Sequence, residues 1–215
     1  MKSYESALII APHADDEILG CGGYISQNPD ADIHVIIVAH RNVSASDNIN
    51  DAYSLNKTYG ITYHILDYND ERLDIVSSSD LIKDLERIYL QIKPDVVFIP
   101  FDGDVSSDHA AVHTSARIAF RKIQEYQPHE CLCYEVPSST GQGHKAFFAN
   151  TYLALFKKDV DSKWNMLKAY SSEVRKYPNP RSAIGIETYA RFRGMECNCE
   201  YAEAYISLYK ICKEI

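Results

Sequence analysis

What the chain lacks narrows its chemistry first. It has no run of lysines or arginines, and 22 basic against 30 acidic side chains leave a formal net charge of −8. That balance argues against nucleic acid as the main partner, because a phosphate backbone demands a basic face. No apolar stretch reaches the roughly 18 residues that a membrane span requires. The opening MKSYESALII has no long apolar segment behind a basic start. The expectation is therefore no leader, no membrane span and a cytoplasmic location. There is no Gly-Lys-Ser/Thr, hence no Walker loop. The glycines Gly20, Gly22 and Gly23 fall several residues beyond the first predicted strand, with Ile25 where a dinucleotide fingerprint needs its third glycine. After the second strand comes AHRN rather than an acid placed for a ribose. These glycines are expected to let a helix pack closely on a sheet. The six cysteines include Cys131/Cys133 and Cys197/Cys199. Their C-x-C spacing departs from that of zinc ribbons, and a cytosolic chain keeps thiols reduced, so they are read as reduced, buried side chains without a function.

What is there is an ordinary globular composition. Of 215 residues, 46% are hydrophobic and 24% charged, enough to build one domain spanning 1–215 around a sizeable core. SALIIAP (Ser6–Pro12), IHVIIVAH (Ile33–His40), YHILDY (Tyr63–Tyr68) and DVVFIP (Asp95–Pro100) are continuous runs rich in valine and isoleucine. That is the pattern of strands buried on both faces. Between the last two, Leu81, Ile82, Leu85, Ile88 and Ile92 keep a helical spacing behind capping groups at Ser77, Ser78, Ser79 and Asp80. A further helix is predicted through SDHAAVHTSARIAFRKIQ and a fifth strand in CLCYEVP. Strands alternating with helices predict an α/β fold with a mostly parallel sheet. Beyond Pro137 the pattern changes into a C-terminal elaboration. There TYLALFKK reads as a strand, DSKWNMLKAYSSEV and SAIGIETYARFRG as helices, and YAEAYISLYKI as a closing strand or extended segment.

Open parallel sheets bind ligands beyond the carboxyl ends of their strands. HADDE follows the first strand, RNVSASDN the second and FDGDVSSDH the fourth. His13 and Asp16, three residues apart at a strand-to-helix turn, can point at one ion, and imidazole plus carboxylate suits zinc while leaving room for a third ligand and a water. DHAAVH offers His109, close to its strand end, and His113, one turn deeper. Asp15 is then placed to take a proton from a water whose pKa a zinc ion lowers to about 7. A helix N-terminus favours its ionised form. The plainer alternatives are a helix cap for Asp15 and solvated or core positions for the histidines.

These motifs resemble those of the PIG-L/LmbE-like family of zinc-dependent N-deacetylases. APHADDEILGCGG is similar to the family's His-Pro-Asp-Asp-Glu signature after the first strand, and DVSSDHAAVH to its Asp-His signature after a later one. The likeness continues through YEVPSST, FFANTYLALFKK and NPRSAIGIETYARFRG…EYAEAY. It implies a Rossmann-like three-layer sandwich and a hydrolase that removes acetyl groups from N-acetylglucosamine-type units of glycolipids, thiol cofactors or other sugar conjugates. Its partners would be a small N-acetyl sugar, sugar nucleotide or sugar conjugate, with a homo-oligomer admitted. Carried over by position, His13, Asp16 and His109 would hold Zn2+, or another divalent metal such as Fe2+. Asp15 would be the general base, with Glu17 and Asp108 orienting groups behind the centre.

Two departures stand out. Ala14 replaces the usual proline. Ser106 occupies the place where the family often has a histidine that steadies the oxyanion or protonates the leaving amine. A serine can donate a hydrogen bond to an oxyanion but cannot act as an imidazolium acid. His144, after the fifth strand, is the candidate substitute. The family's Arg-x-x-Glu segment reads Asn48 and Asp51 here. Arg181 and Arg193 are either anchors for an anionic part of the substrate or structural ion pairs. The alternative functions are an amidase or esterase on a different conjugate, or a non-catalytic sugar- or nucleotide-binding member of the fold.

Overall fold

The computed structural model describes residues 4–40, 45–121 and 126–212, with backbone only for 45–48. Seven strands form one sheet in the order β3-β2-β1-β4-β5-β7-β6. They are β1 (Ser6–Ala11), β2 (Asp32–His40), β3 (Thr62–Asn69), β4 (Val96–Pro100), β5 (Glu130–Tyr134), β6 (Thr151–Leu155) and β7 (Tyr201–Lys210). The first five run parallel, in a register that sets Ile9 opposite Val35 on one side and Phe98 on the other. β7 runs antiparallel to both β5 and β6. The helices are α1 (Asp16–Gln27), α2 (Ala45–Tyr59), α3 (Ser78–Ile92), α4 (Ser107–Ala119), α5 (Lys157–Leu167) and α6 (Ala183–Glu196).

The alternation along β1 explains the layers. Ala7, Ile9 and Ala11 face one core with α1, α2, α5 and α6, while Leu8 and Ile10 face a second core with α3 and α4. A strand apolar on both faces must be covered on both, so the three-layer α/β sandwich follows from sequence composition. α3 shows the same logic at the helix level. Leu81, Leu85, Ile88 and Tyr89 form its buried stripe, and it stops where Lys93 turns left-handed (φ 52) before Pro94. The glycines of α1 are packing residues. A Cβ on Gly20 would lie 2.1 Å from Cδ2 of Tyr134, one on Gly22 2.7 Å from Cγ of Lys163, and one on Gly23 2.7 Å from Cδ1 of Leu155.

Several boundaries differ from the sequence expectation, among them the end of β5 at Tyr134 rather than Pro137 and the end of α5 at Leu167 rather than Val174. Helix α2 covers residues 45–59, where the apolar pattern is thin because among its described side chains the buried ones are Ala52 and Leu55. The two lysines closing TYLALFKK belong to α5, which begins at Lys157. α4 ends at Ala119, and residues 122–124 of the predicted continuation lie outside the described residues. No helix among the described residues is long and apolar enough to cross a membrane. Cys131 and Cys133 are buried free thiols in β5, with burial pushing Cys131 up to about 12, while Cys197 and Cys199 are half-buried and Cys212 is exposed.

The chain order reverses direction across the sheet between β1 and β4, since β2 and β3 lie on one side of β1 and β4 and β5 on the other. The crevice beyond the carboxyl ends of β1 and β4 is the topological switch point at which such sheets bind ligands. HADDE and DVSSDH both leave the sheet there.

Candidate metal centre

Beyond β1, Pro12 still accepts from the N–H of Ala39 at 2.9 Å, holding the strand end against β2. The chain then turns sharply. Asp15 has φ 119, a left-handed conformation that non-glycine residues seldom adopt and that clusters at functional turns. Asp15 precedes α1, yet its side chain makes no capping bond, and among the described residues its buried Oδ2 has no hydrogen-bond partner. A helix cap therefore does not account for it.

Asp16 Oδ2 is the focus of the site. It accepts from the His13 N–H at 3.0 Å and lies 3.3 Å from His13 Nδ1 and 3.2 Å from His109 Nε2. The rear nitrogen of each ring is backed by carboxylates. His13 Nε2 lies 2.9 Å from Asp70 Oδ1 and 3.0 Å from Asp108 Oδ2. His109 Nδ1 lies 3.2 Å from Asp104 Oδ2. Asp108 is itself fixed by the N–H groups of Glu71 and Leu73, at 2.8 and 3.0 Å. Asp104 accepts from the hydroxyls of Ser139 and Thr140, both at 2.8 Å.

The donor set suits a divalent ion on three grounds. Two imidazoles and one carboxylate present ligand atoms within 4.8 Å of one another. Zinc bonds of about 2.0–2.1 Å in a tetrahedron place ligand atoms about 3.3 Å apart, which matches the 3.3 and 3.2 Å from Asp16 to the two rings. A carboxylate behind a ligating histidine fixes its tautomer and leaves the facing nitrogen with its lone pair. His13, Asp16 and His109 are thus brought together as the sequence proposed. His113 is not among them, since its Nδ1 bonds the carbonyl of Pro100 at 2.8 Å inside the sheet-facing core.

The electrostatics agree with a cation-seeking cage. Burial alone would raise the Asp16 carboxyl, but His109 and His13 hold it far below the carboxylate range. Burial lowers the basicity of both rings, and their carboxylate partners more than reverse this, taking His109 up to about 9 and His13 well above its ordinary value. Asp15 behaves oppositely. Burial and then the Asp16 charge push it well above the usual range, against the pull of Arg181. Burial therefore outweighs the helix N-terminus that the sequence suggested would keep it ionised.

Arg181 reaches the site, with Nη1 3.2 Å from Asp15 Oδ2 and 2.6 Å from Glu173 Oε2, and Nε donating to Ser138 Oγ at 3.1 Å. Its approach to Asp15 is close enough for an ion pair but not aligned as a hydrogen bond. Arg193 is elsewhere. Its Nε and Nη2 donate to the two oxygens of Glu135, each at 2.6 Å, and Nη1 donates to Glu196. Of the two readings for Arg193, the geometry matches the structural ion pair. Ser106 caps α4, with Oγ accepting from the His109 N–H at 3.5 Å and its own N–H donating to Asp104 at 3.0 Å. His144 is exposed on a loop whose neighbour Gly143 lies against the backbone of Gly103. Glu17 is fully buried, and its Oε2 accepts from the Asp15 N–H at 3.1 Å. The side chain of Asn48 lies outside the described residues, and Asp51 sits on α2. Sequence reading missed Asp70 and Asp104. Asp104 stood in the quoted FDGDVSSDH cluster, whereas Asp70 carried no signal beyond following a strand.

A carboxylate-backed His/Asp centre at the switch point of a mostly parallel, Rossmann-like sheet defines the class. The chain belongs to the PIG-L family, whose GlcNAc-PI de-N-acetylase model matches residues 8–120. No curated protein sequence matches it. Solved structures share the fold throughout. The conserved protein TT1542 from Thermus thermophilus is 20% identical with a TM-score of 0.78, covering 97% of this chain and 96% of that one. N,N'-diacetylchitobiose deacetylase from Pyrococcus horikoshii is 18% identical with a TM-score of 0.77, covering 96% and 85%. GalB, the 4-carboxy-2-hydroxymuconate hydratase from Pseudomonas putida, is likewise 18% identical with a TM-score of 0.77, covering 98% and 99%. One fold thus carries a deacetylase and a hydratase, so the reaction must be argued from the site.

Proposed function

We propose that the protein is a metal-dependent N-deacetylase that hydrolyses the acetamide of an N-acetylated amino sugar or sugar conjugate. The observation that carries this reading is the buried Oδ2 of Asp15, which accepts no hydrogen bond among the described residues and has the Arg181 charge near it, beside the three converging ligand atoms of His13, Asp16 and His109. His13, Asp16 and His109 would hold a divalent ion, zinc by the donor set with Fe2+ as the other candidate, and the ion would supply Lewis acidity and a lowered pKa for a bound water.

The chain's residues do the rest. Asp15 accepts a proton from the attacking water, and its raised pKa suits a group that must then give the proton up to the departing amine nitrogen. Water adds its oxygen to the acetyl carbon, the carbon–nitrogen bond breaks, and acetate and a free amine leave. Asp104, Asp108 and Asp70 hold the two imidazoles in register. Ser106 keeps its hydroxyl proton while its oxygen caps α4, so it remains the donor proposed for the oxyanion. His144 is the chain's imidazole candidate for steadying the leaving group, exposed on the loop that follows β5. Arg181 serves Asp15 more directly than it serves a substrate anion, because its guanidinium already faces Asp15 and Glu173.

The test is acetate release from a panel of N-acetyl sugars, sugar nucleotides and sugar–thiol conjugates, with metal content measured in parallel. Asp15→Ala should abolish acetate release and retain the metal, whereas His13→Ala should lose the metal. A protein that takes up no stoichiometric divalent ion, or that hydrates an unsaturated acid or cleaves an ester while leaving every N-acetyl group intact, would overturn the reading.

A further inference from the structure

Glu17 lies in the first turn of α1 with 0% of its surface exposed. Among the described residues its carboxylate is met by tyrosine hydroxyls and a backbone amide rather than by a lysine or arginine. A buried charge is costly unless hydrogen bonds replace its hydration. Oε1 accepts from the hydroxyl of Tyr170 at 2.6 Å and from that of Tyr63 at 3.2 Å, and the two hydroxyls also lie against each other. Oε2 accepts from the N–H of Asp15 at 3.1 Å. That N–H belongs to the residue with φ 119. A side-chain-bearing residue stays in such a conformation only where its surroundings over-determine it.

The donors come from distant parts of the chain. Tyr63 projects from β3, Tyr170 closes the turn after α5, and both are buried. We propose that Tyr63 and Tyr170 are positioning residues: acting through Glu17, they hold the Asp15 peptide in its left-handed conformation and so aim the Asp15 carboxylate. The inference rests on Asp15 being the general base. With Oε1 occupied by two hydroxyls, Glu17 is confined to the rotamer that brings Oε2 to the Asp15 amide. Without them the carboxylate can turn away, and Asp15 can relax to negative φ and swing its side chain off the reacting water.

The experiment compares wild type, Tyr63→Phe, Tyr170→Phe and the double variant, all zinc-loaded. Tyr205→Phe is the control, because Tyr205 is equally buried and donates to another buried carboxylate, Glu203, at 2.8 Å. The double variant should exchange the Asp15 amide at least about 10-fold faster by NMR, since protection follows local opening. It should also lose about 10- to 100-fold in kcat for acetate release, with KM and zinc stoichiometry unchanged. Tyr205→Phe should move neither reading. The proposal is overturned if Asp15 exchange or kcat stays within twofold of wild type, or if the control moves both equally. Should the wild type release acetate from no N-acetyl sugar, the proposed function fails on its own, and Asp15 amide exchange alone then decides the lock.

Discussion

Replacing Arg193 by alanine separates a structural arginine from a substrate anchor. Arg193 is 7% exposed and Glu135 8%, and they meet through two parallel hydrogen bonds of 2.6 Å. Glu196 takes the remaining edge of the guanidinium, at 3.0 and 2.8 Å, and the rings of Phe147 and Phe192 lie 5.3 and 5.0 Å from its carbon. Alanine at 193 leaves the Glu135 carboxylate buried and unpaired, a loss of about 3–5 kcal/mol. For a chain of this size about 1 kcal/mol moves Tm by about 2–4 °C, so the melting temperature should fall by about 6–20 °C. The assay is thermal melting by circular dichroism together with steady-state kinetics on whichever substrate the acetate screen returns. Pairing Arg193→Ala with Glu135→Leu should recover part of the loss, because the orphaned charge goes with its partner. A variant that melts within about 2 °C of wild type while its KM rises about tenfold would refute the structural assignment and restore Arg193 as an anchor.

Other perturbations probe the packing and the centre. Gly20→Ala should destabilise by about 2 kcal/mol, because a Cβ 2.1 Å from the buried Tyr134 ring puts the overpacking strain at about 3 kcal/mol, against a gain in helix propensity of about 1 kcal/mol. Gly141→Ala, whose Cβ meets only the Tyr189 hydroxyl at 3.4 Å, should stay within about 0.5 kcal/mol, and equal urea midpoints for the two would contradict this. Asp104→Ala should weaken zinc binding about 10- to 100-fold by competition with a chelating dye, since it frees the rear nitrogen of His109, and unchanged affinity would remove Asp104 from the centre. Burial lowers the basicity of His113, helped by Arg117 and Lys145, while the Pro100 carbonyl and Asp102 oppose this. Its unfolded form therefore binds the proton first. The stability it contributes is complete above the unfolded value of about 6.5 and lost as pH falls below it. Urea melts at pH 8 and pH 5.5 should show a smaller difference for His113→Gln than for wild type.

Much of the layer structure was legible in local composition. Runs such as LIIA and VVFI, short and rich in β-branched residues, read as strands buried on both faces, and their alternation with amphipathic segments points to a mostly parallel sheet with helices on both sides. The position of HADDE and SSDH just past strand ends pointed to His13 and Asp16 with His109 or His113, and the family resemblance singled out His109. Helix α2 was harder to read, because among its described side chains the buried ones are Ala52 and Leu55, which leaves only a faint period.

The sequence by itself determined which residue types stand at the ends of the strands, because a turn of three or four residues fixes local spacing. Tertiary structure decided what each of them faces. That Asp70 and Asp108 share His13, that Arg181 meets Asp15 while Arg193 meets Glu135, and that two distant tyrosines converge on Glu17 depend on strand order and on how the C-terminal helices fold back. Such pairings join residues up to 166 positions apart, as Arg181 and Asp15 are (181 − 15). No local period encodes them, because they come into being only when the whole sheet has closed its two cores.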